Sequence, residues 1–283
     1  MKTIKLKNGI ELPNLGIGTW YLGENPSTRI QEIEAIRYGL DYGLQLIDTA
    51  EMYGNGQSEQ LVGEAIKGYN REDIFLVSKV LPQNASHDRL ENSLNTSLRN
   101  LDTDYVDLYL YHWRGSIPLE ETLSELEKMR SQGKIRAWGV SNFDTNDMQD
   151  LFSIDEDNQC LVNQVLYNLG ERGIEYSLKP LCDSRQISIM AYCPLAQAGR
   201  IQDDLLTNPV LIDVAKQLGI DVYRLLISFI QEQGQTIPIP RTSNILHMRD
   251  NCKSLEINIP NELMDVLEEE FPKPEFKTPL AIQ

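Results

Sequence analysis

The sequence predicts an α/β protein, a (β/α)8 TIM barrel preceded by a β-hairpin. Eight apolar runs of strand length alternate along the chain with segments of helical spacing, and eight is the number of strands that closes such a barrel. Several runs are apolar almost throughout, as in parallel strands that are covered on both faces. No linker-like change of composition interrupts the 283 residues, so we predict a single barrel domain over residues 1–283.

The predicted elements begin with the hairpin. Asn8-Gly9, a pair that favours a tight turn, separates the short segments Ile4–Lys7 and Ile10–Leu12. The predicted barrel strands follow at Leu15–Thr19, Leu46–Thr49, Ile74–Val80, Val106–His112, Ile135–Ser141, Leu161–Val165, Ile187–Tyr192 and Thr236–Ile239.

Apolar residues at helical spacing predict helices between these strands. The first helix carries an apolar series from Ile30 to Leu40, and Thr28 and Gln31 are placed as a capping box at its start. Further helices are predicted at Leu90–Leu101, Leu119–Met129, Asn208–Leu218, Val222–Gln233 and Asn261–Glu270. Each of them lies between two predicted strands or after the last one.

A doubly wound sheet is the alternative fold, and it usually opens with a glycine-rich phosphate loop. The nearest match is Gly16–Tyr21, where Tyr21 stands at the position of the third glycine and no helix begins. These glycines fit a strand end that runs close to a ligand better than a dinucleotide-binding turn. The barrel is therefore favoured.

Composition argues against several classes of partner. A net charge of −16 disfavours nucleic acid and anionic membrane surfaces, because binding to phosphates needs a positive surface. No apolar stretch approaches the roughly 18–20 residues of a membrane span, and the basic start Met1–Gly9 lacks the apolar core of a signal peptide. The four cysteines and three histidines have no metal-binding spacing. We expect a cytoplasmic protein without a metal site.

Polar side chains follow the predicted strands at one end of the barrel, where the active sites of this fold lie. Taken singly, each has a structural explanation, such as a helix cap for Asp48 or a solvated strand end for Lys79. Their collection at one face points to a site. The residues are Asp48, Tyr53, Lys79, His112, Ser141, Asn142, Gln164, Tyr192, Arg241 and Thr242.

Four of these residues suit the reduction of a carbonyl group by hydride. The reaction needs a proton at the carbonyl oxygen, and a tyrosine can supply it once its pKa, roughly 10 in water, is lowered. The ammonium of Lys79 would lower the pKa of Tyr53, and Asp48 would hold that lysine charged and oriented. His112 would donate a hydrogen bond to the carbonyl oxygen.

Several motifs, in order along the chain, resemble those of the aldo-keto reductases. The segment Leu46–Gly54, followed by Ser58–Gly63, resembles the signature of that family. Further matching segments are Leu76–Val80, Leu108–Trp113, Gly133–Phe143, Asn163-Gln164 and Ala191–Leu195. The resemblance covers essentially the whole chain, and several correctly spaced motifs make it far more specific than any single one.

The resemblance implies roles for the matching residues and NADPH as the cofactor. Tyr53 looks like the proton donor, Lys79 and Asp48 like its tuning pair, and His112 like the residue that orients the carbonyl. The implied cofactor residues are Gly18, Thr19, Trp20, Asp48, Ser141, Asn142, Gln164, Tyr192, Cys193, Leu195, Arg241, Thr242, His247 and Asn251. The implied substrate residues are Trp20, Tyr53, His112 and Trp113.

Within the implied cofactor set, Ser141, Asn142 and Gln164 would hold the nicotinamide amide, and Tyr192 would stack on the ring. Arg241 and the helix start that follows it would bind the phosphate on the adenosine ribose.

The sequence departs from the family pattern in three places. Cys193 stands where a serine is usual, and His247 stands where many members have an arginine near the adenosine phosphate. A neutral histidine would bind the phosphate less strongly, so the preference for NADPH over NADH is expected to be reduced. The loop after His112 and the tail after Phe271 are short, which predicts an open pocket.

Asp48–Tyr53 and Pro194–Arg200 look most like segments of bacterial reductases that act on methylglyoxal and related small aldehydes. We therefore expect a monomer that reduces small aldehydes and dicarbonyls to alcohols with NADPH. Two alternatives stay open: an NAD(P)-dependent sugar or polyol dehydrogenase, and a non-catalytic cofactor-binding regulatory subunit. The complete set of Asp48, Tyr53, Lys79 and His112 favours the enzyme.

Overall fold

The computed structural model describes residues 1–197 and 199–283. An antiparallel hairpin opens the chain, with strands β1 (Thr3–Lys5) and β2 (Glu11–Pro13). In its turn Gly9 has a φ of +90°, in the left-handed region that favours glycine. The predicted hairpin is confirmed.

Within the described part of the chain, eight parallel strands follow, and each pairs with the next along the sequence. They are β3 (Ile17–Gly18), β4 (Leu46–Asp48), β5 (Phe75–Val80), β6 (Val106–Tyr111), β7 (Ile135–Ser141), β8 (Val162–Leu166), β9 (Ser188–Tyr192) and β10 (Thr236–Pro238). A parallel bridge between Gly18 and Arg241 links the first of these strands to the segment after the last, and the Gly18 N–H donates to the Pro240 carbonyl at 3.0 Å. The strands therefore form the predicted (β/α)8 barrel.

Helices connect the strands around the barrel. They are α1 (Arg29–Tyr42), α2 (Gln57–Ala65), α3 (Leu90–Leu101), α4 (Leu119–Ser131), α5 (Thr145–Ile154), α6 (Leu178–Ser184), α7 (Arg200–Thr207), α8 (Pro209–Gln217), α9 (Val222–Gln231), α10 (Ile245–Lys253) and α11 (Asn261–Glu270). The predicted helices correspond to α1, α3, α4, α8, α9 and α11. None of the described helices is long and apolar enough to cross a membrane.

The start of α1 differs from the predicted capping box. The hydroxyl of Thr28 donates to Glu32 Oε1 at 2.7 Å, and Gln31 Nε2 donates to the carbonyl of Ser243 at 2.9 Å. Gln31 therefore ties α1 to the segment before α10 and does not cap its own helix. The reciprocal motif does occur at α5, where Asp144 caps the helix start and Asp147 returns to the Asp144 N–H.

Successive side chains of each strand point to opposite faces of the barrel wall. The apolar side chains therefore form two separate clusters, one on each face. Phe75 and Val77 belong to the cluster inside the barrel, whereas Leu76 belongs to the larger cluster between the barrel and its helices. The hairpin contributes Ile4 and Leu12 to the inner cluster. It packs against the residues that begin the strands, which leaves the opposite, carboxyl end of the barrel for polar side chains.

Candidate active site

Several of the polar residues identified in the sequence follow, along the same strands, the apolar residues that point into the barrel. Leu46, Phe75 and Val77 lie inside the barrel. The two-residue period therefore turns Asp48 and Lys79 inward at the carboxyl ends of β4 and β5. The same alternation brings three further residues to this end of the barrel: His112, Gln164 and Tyr192.

These side chains surround a cavity of about 370 Å³. The residues expected from the sequence that line it are Gly18, Thr19, Trp20, Asp48, Tyr53, His112, Trp113, Ser141, Asn142, Gln164, Tyr192, Cys193, Leu195 and Arg241. Sequence reasoning did not identify Tyr21, Met52, Pro194, Ala196, Gln197, Gln202, Ile239, Pro240 and Gln283, which also line it. Lys79 is fully buried behind the wall.

Lys79 is the centre of a closed hydrogen-bond network. Its ammonium donates to Asp48 Oδ2 at 2.8 Å, to the Thr49 carbonyl at 2.8 Å and to the Tyr53 hydroxyl oxygen at 3.0 Å. An ammonium has three donors, so all of them are used. Because the Tyr53 oxygen accepts from Lys79, the proton of its own hydroxyl is left for an acceptor in the cavity.

Burial determines the direction in which the pKa of Tyr53 is shifted. It raises the pKa of Tyr53 well above the ordinary value, and the charge of Asp48 raises it further. The sequence predicted a pKa below the ordinary value, and this is not what the structure gives. The Lys79 ammonium favours the phenolate, but burial and the charge of Asp48 outweigh it. Burial likewise lowers the pKa of Lys79, while Asp48 opposes that change. Tyr53 stays protonated at neutral pH, which is the form that a proton donor needs.

His112 is held in its neutral form. Burial, together with the charge of Lys79, lowers the pKa of His112 well below its usual value. The imidazole lies close to Tyr53, with 6.0 Å between the ring centroids. Its Nδ1 has no hydrogen-bond partner within the described residues. A neutral imidazole has one N–H donor and one acceptor, so His112 can donate a hydrogen bond to a group bound beside Tyr53.

Asp48 links this network to the other side of the barrel. Its second carboxylate oxygen, Oδ1, accepts from Gln164 Nε2 at 2.7 Å, and its backbone carbonyl accepts from the Thr19 hydroxyl at 2.9 Å. The carboxylate is therefore bound on both oxygens, by Lys79 and by Gln164. These contacts fix the orientation of Asp48 and bring β3 and β8 to the same cavity wall.

Asn142 connects the residues expected at the nicotinamide. It follows β7 with a φ of +57°, a left-handed conformation that asparagine tolerates better than most residues. Its Nδ2 donates to the His112 carbonyl at 3.2 Å and to the Ser141 hydroxyl at 3.3 Å. Its Oδ1 accepts from the Tyr192 hydroxyl at 2.9 Å. Asn142 thus fixes the Tyr192 ring relative to His112.

Aromatic rings form the apolar part of the wall. The ring of Trp20 stacks on Tyr53, with 6.2 Å between centroids, and on Tyr21, with 4.7 Å. Trp113 packs against His112 at 4.6 Å. Tyr53 and the imidazole of His112 therefore each have an aromatic neighbour at the cavity.

The residues expected at the adenosine end of the cofactor lie at the rim of the cavity or outside it, before and along α10. Arg241 reaches the rim, where its Nε donates to the Trp20 carbonyl at 2.9 Å. Thr242 accepts from the Asn244 N–H at 3.0 Å, whereas Asn251 is largely buried and His247 is exposed. The structure thus separates an inner group at the cavity from an outer group at the start of α10.

Cys193 and the end of the chain lie side by side at the cavity. Cys193 has a φ of +51°, and burial raises the pKa of its thiol to about 11, so the thiol is neutral at pH 7. Its Sγ lies 3.2 Å from Gln283 Oε1. The tail after α11 therefore reaches the cavity despite its shortness, and it has no periodic pattern that could have predicted this. Ala198, in the segment Pro194–Arg200, lies outside the described residues.

A barrel that places a tyrosine, a lysine, an aspartate and a histidine at one cavity has the architecture of an oxidoreductase acting on carbonyl groups. The model of the aldo/keto reductase family matches residues 14–270. The chain belongs to that family, and the resemblance noted in the sequence is confirmed.

Individual relatives are similar over almost their whole length. A methylglyoxal reductase of Escherichia coli K12, YeaE, is 47% identical over 279 residues, which are 99% of this chain and 98% of that protein. A glyoxal reductase of Bacillus subtilis 168 is 32% identical over 268 residues, covering 94% and 91% of the two chains. The crystal structure of an aldo-keto reductase from Klebsiella pneumoniae in complex with NADPH superposes with a TM-score of 0.96 at 45% identity, over 100% of this chain and 99% of that one.

Proposed function

We propose that this protein reduces small aldehydes and dicarbonyls, such as methylglyoxal, to alcohols with NADPH. The observation that carries the proposal is the Tyr53 hydroxyl, which lies 3.0 Å from the buried Lys79 ammonium and lines the same cavity as His112. The 47% identity to a methylglyoxal reductase supports the substrate class. The cavity of about 370 Å³, with aromatic walls, suits a small carbonyl compound.

Tyr53 acts as the general acid. Its raised pKa keeps the phenol protonated at neutral pH, so a proton is available for the carbonyl oxygen. As Tyr53 loses that proton, its oxygen becomes negative, and the hydrogen bond from Lys79 strengthens because it then joins two opposite charges. Asp48 keeps the ammonium charged and directed at the phenol.

His112 orients the substrate. Because it is neutral, it donates one N–H to the carbonyl oxygen without bringing a second positive charge near Lys79. A carbonyl oxygen that accepts from both Tyr53 and His112 is held in one position and polarised. When bound, NADPH supplies the hydride that the carbonyl carbon receives.

The residues present fit NADPH. Arg241 uses only Nε within the described protein, so its two terminal nitrogens are available for a phosphate. They lie near the start of α10, where helix N–H groups and the helix dipole favour an anion. Arg241, Thr242, His247 and Asn251 would hold the adenosine end. Ser141, Asn142, Gln164 and Tyr192 would hold the nicotinamide, with Gly18, Thr19, Trp20, Cys193 and Leu195 along the cavity.

The experiment that tests the function is a substrate panel. Purified protein is mixed with aldehydes, ketones, dicarbonyls and sugars, and loss of reduced-nicotinamide absorbance is followed with NADPH and with NADH. We expect the highest kcat/KM for small aldehydes and dicarbonyls with NADPH. Absence of turnover with every carbonyl compound, despite cofactor binding, would favour a cofactor-binding subunit. We further propose a cytoplasmic monomer in which residues 1–283 form one domain.

A further inference from the structure

Tyr53 is placed by a loop, whereas its partner Lys79 is placed by strand β5. The loop continues with Gly54, Asn55 and Gly56, whose φ angles are +54°, +52° and +88°. Three consecutive residues in the left-handed region cannot form a regular element, and the conformation is unfavourable for asparagine relative to glycine. The position of the phenol therefore depends on side-chain contacts that fasten this loop to the barrel.

Glu51, two residues before Tyr53, makes such contacts. Its Oε1 accepts from the Leu81 N–H at 2.6 Å and from Asn84 Nδ2 at 3.0 Å, and its Oε2 accepts from the Ser93 hydroxyl. Leu81 directly follows β5, Asn84 lies in the turn beyond it, and Ser93 lies on α3. All three donors thus belong to the segment that continues from the strand carrying Lys79.

The backbone on both sides of Glu51 strengthens this link. The Glu51 N–H donates to the Lys79 carbonyl at 3.4 Å, and the Thr49 carbonyl accepts from the Lys79 ammonium at 2.8 Å. Glu51 itself does not line the cavity, so it does not reach a bound substrate. Its effect on a reaction has to pass through the groups that it fastens together, Tyr53 and Lys79.

We propose that Glu51 is a positioning residue whose carboxylate fastens the Tyr53 loop to the end of β5 and so holds the phenol at the Lys79 ammonium. The inference rests on the proposed function, in which Tyr53 is the proton donor. A shift of about 1 Å in a reacting group can lower a rate by about 10²-fold. A residue outside the cavity can therefore control the rate of proton donation.

The first test compares Glu51→Ala with Glu51→Gln. We expect kcat of Glu51→Ala to fall on the order of 10²-fold, with little change in the Kd for NADPH, because Glu51 does not line the cavity. Glu51→Gln should recover most of this activity. Its amide oxygen can still accept from Leu81 and Asn84, and its NH2 group can donate to the Ser93 oxygen.

Asp155 provides a matched control. Its carboxylate also accepts two backbone N–H groups, from Gln159 at 2.8 Å and Cys160 at 2.9 Å, but it lies before β8, at the end of the barrel opposite the cavity. Asp155→Ala should lose stability while kcat of the folded protein changes less than about twofold, since no substrate contact is altered. Equal effects of Asp155→Ala and Glu51→Ala on kcat would overturn the inference.

A second measurement does not need turnover. Tyrosine is labelled with 13C at Cζ, the Tyr53 signal is assigned with Tyr53→Phe, and its shift is followed from neutral to alkaline pH. Loss of the Lys79 contact in Glu51→Ala should displace this signal and change its titration, while Asp155→Ala leaves both as in the wild type. This measurement can be made even if the wild-type protein reduces no carbonyl compound. Such a result would refute the proposed function, but it would leave the role of Glu51 in positioning Tyr53 open to the same test.

If Glu51→Ala does not fold, a milder variant can be tested in its place. Asn84→Ala removes one donor to the carboxylate at a partly exposed position. We expect kcat to fall less than in Glu51→Ala, on the order of tenfold, because two of the three donors still fasten the loop. A wild-type kcat, pH profile and Tyr53 signal in Asn84→Ala, or in a folded Glu51→Ala, would show that the carboxylate contributes only to stability.

Discussion

Replacing Lys79 with methionine tests the central contact of the site, because it keeps the unbranched stem and deletes the ammonium. The change leaves Asp48 Oδ2 and the Thr49 carbonyl without the donors that now lie at 2.8 Å from each. Asp48 keeps Gln164 as a partner. Removing one member of a buried ion pair typically costs about 3–5 kcal/mol of stability. A domain of ordinary stability, roughly 5–15 kcal/mol, would tolerate this loss.

The effect on turnover of Lys79→Met has a different origin. The phenolate that forms on Tyr53 would lose its hydrogen bond from the ammonium, now 3.0 Å long. A hydrogen bond to a charged group is worth about 1.5–3 kcal/mol, so kcat should fall by at least roughly 10–10²-fold. Reduction and the reverse oxidation should both be affected, since both pass through the same charge on the tyrosine.

A double variant separates these two effects. Asp48→Asn in the Lys79→Met background removes the unpaired buried charge, while the asparagine oxygen can still accept from Gln164. The free energy of unfolding in urea should partly recover, whereas turnover, followed by reduced-nicotinamide absorbance from about pH 6 to 10, should not. A Lys79→Met protein with the wild-type kcat and pH profile would refute the role of the lysine, whatever its stability.

Three further predictions follow from the same geometry. Tyr53→Phe should retain cofactor binding by fluorescence titration but lose about 10²–10⁴-fold in kcat; retention of more than about a tenth of kcat would exclude Tyr53 as the acid. The pKa of His112 is lowered and that of Tyr53 is raised, so neither group should titrate in the kcat profile between roughly pH 6.5 and 10. A loss of kcat towards the alkaline end would report Lys79, whose pKa burial lowers, whereas a loss of kcat on the acid side of that window would contradict the neutral form assigned to His112. Arg241→Ala should weaken the binding of NADPH by about 1.5–3 kcal/mol and the binding of NADH much less. Equal losses of binding for the two cofactors would mean that Arg241 acts through its contact with Trp20.

The parts of the fold that sequence could predict are those governed by local periodicity. Apolar runs identified the barrel strands, and the two-residue period within β4 and β5 also determined which polar residues face inward. Asp48 and Lys79 were recognisable because they stand at the carboxyl ends of predicted strands. The capping box at Thr28 was wrong because the Thr28 N–H, which Gln31 would have to accept from, donates to the Asn25 carbonyl, while the Thr28 hydroxyl donates to Glu32. The contact of Gln31 with Ser243 joins residues distant in the chain.

Other features of the site depend on backbone conformations that carry no clear sequence signal. Tyr21, Asn142 and Cys193 have φ angles of +63°, +57° and +51°, and tertiary contacts hold them there. For Asn142 these include the bonds to His112 and Tyr192. The approach of Gln283 to Cys193 likewise depends on the path of an irregular tail. A local pattern can identify such residues as candidates, but it cannot place them.

The pKa of Tyr53 shows why a correct set of residues can still give an incorrect account of the chemistry. In the sequence, Lys79 is a positive charge near a tyrosine, and a positive charge alone lowers the pKa of a phenol. In the structure, Asp48 is bound to that ammonium, so the phenol faces an ion pair, and burial then raises its pKa. The lysine therefore does not bring the pKa of Tyr53 below its ordinary value, although its ammonium opposes the rise. It stabilises the phenolate as it forms, and an interaction that strengthens only as charge develops favours the transition state over the bound substrate.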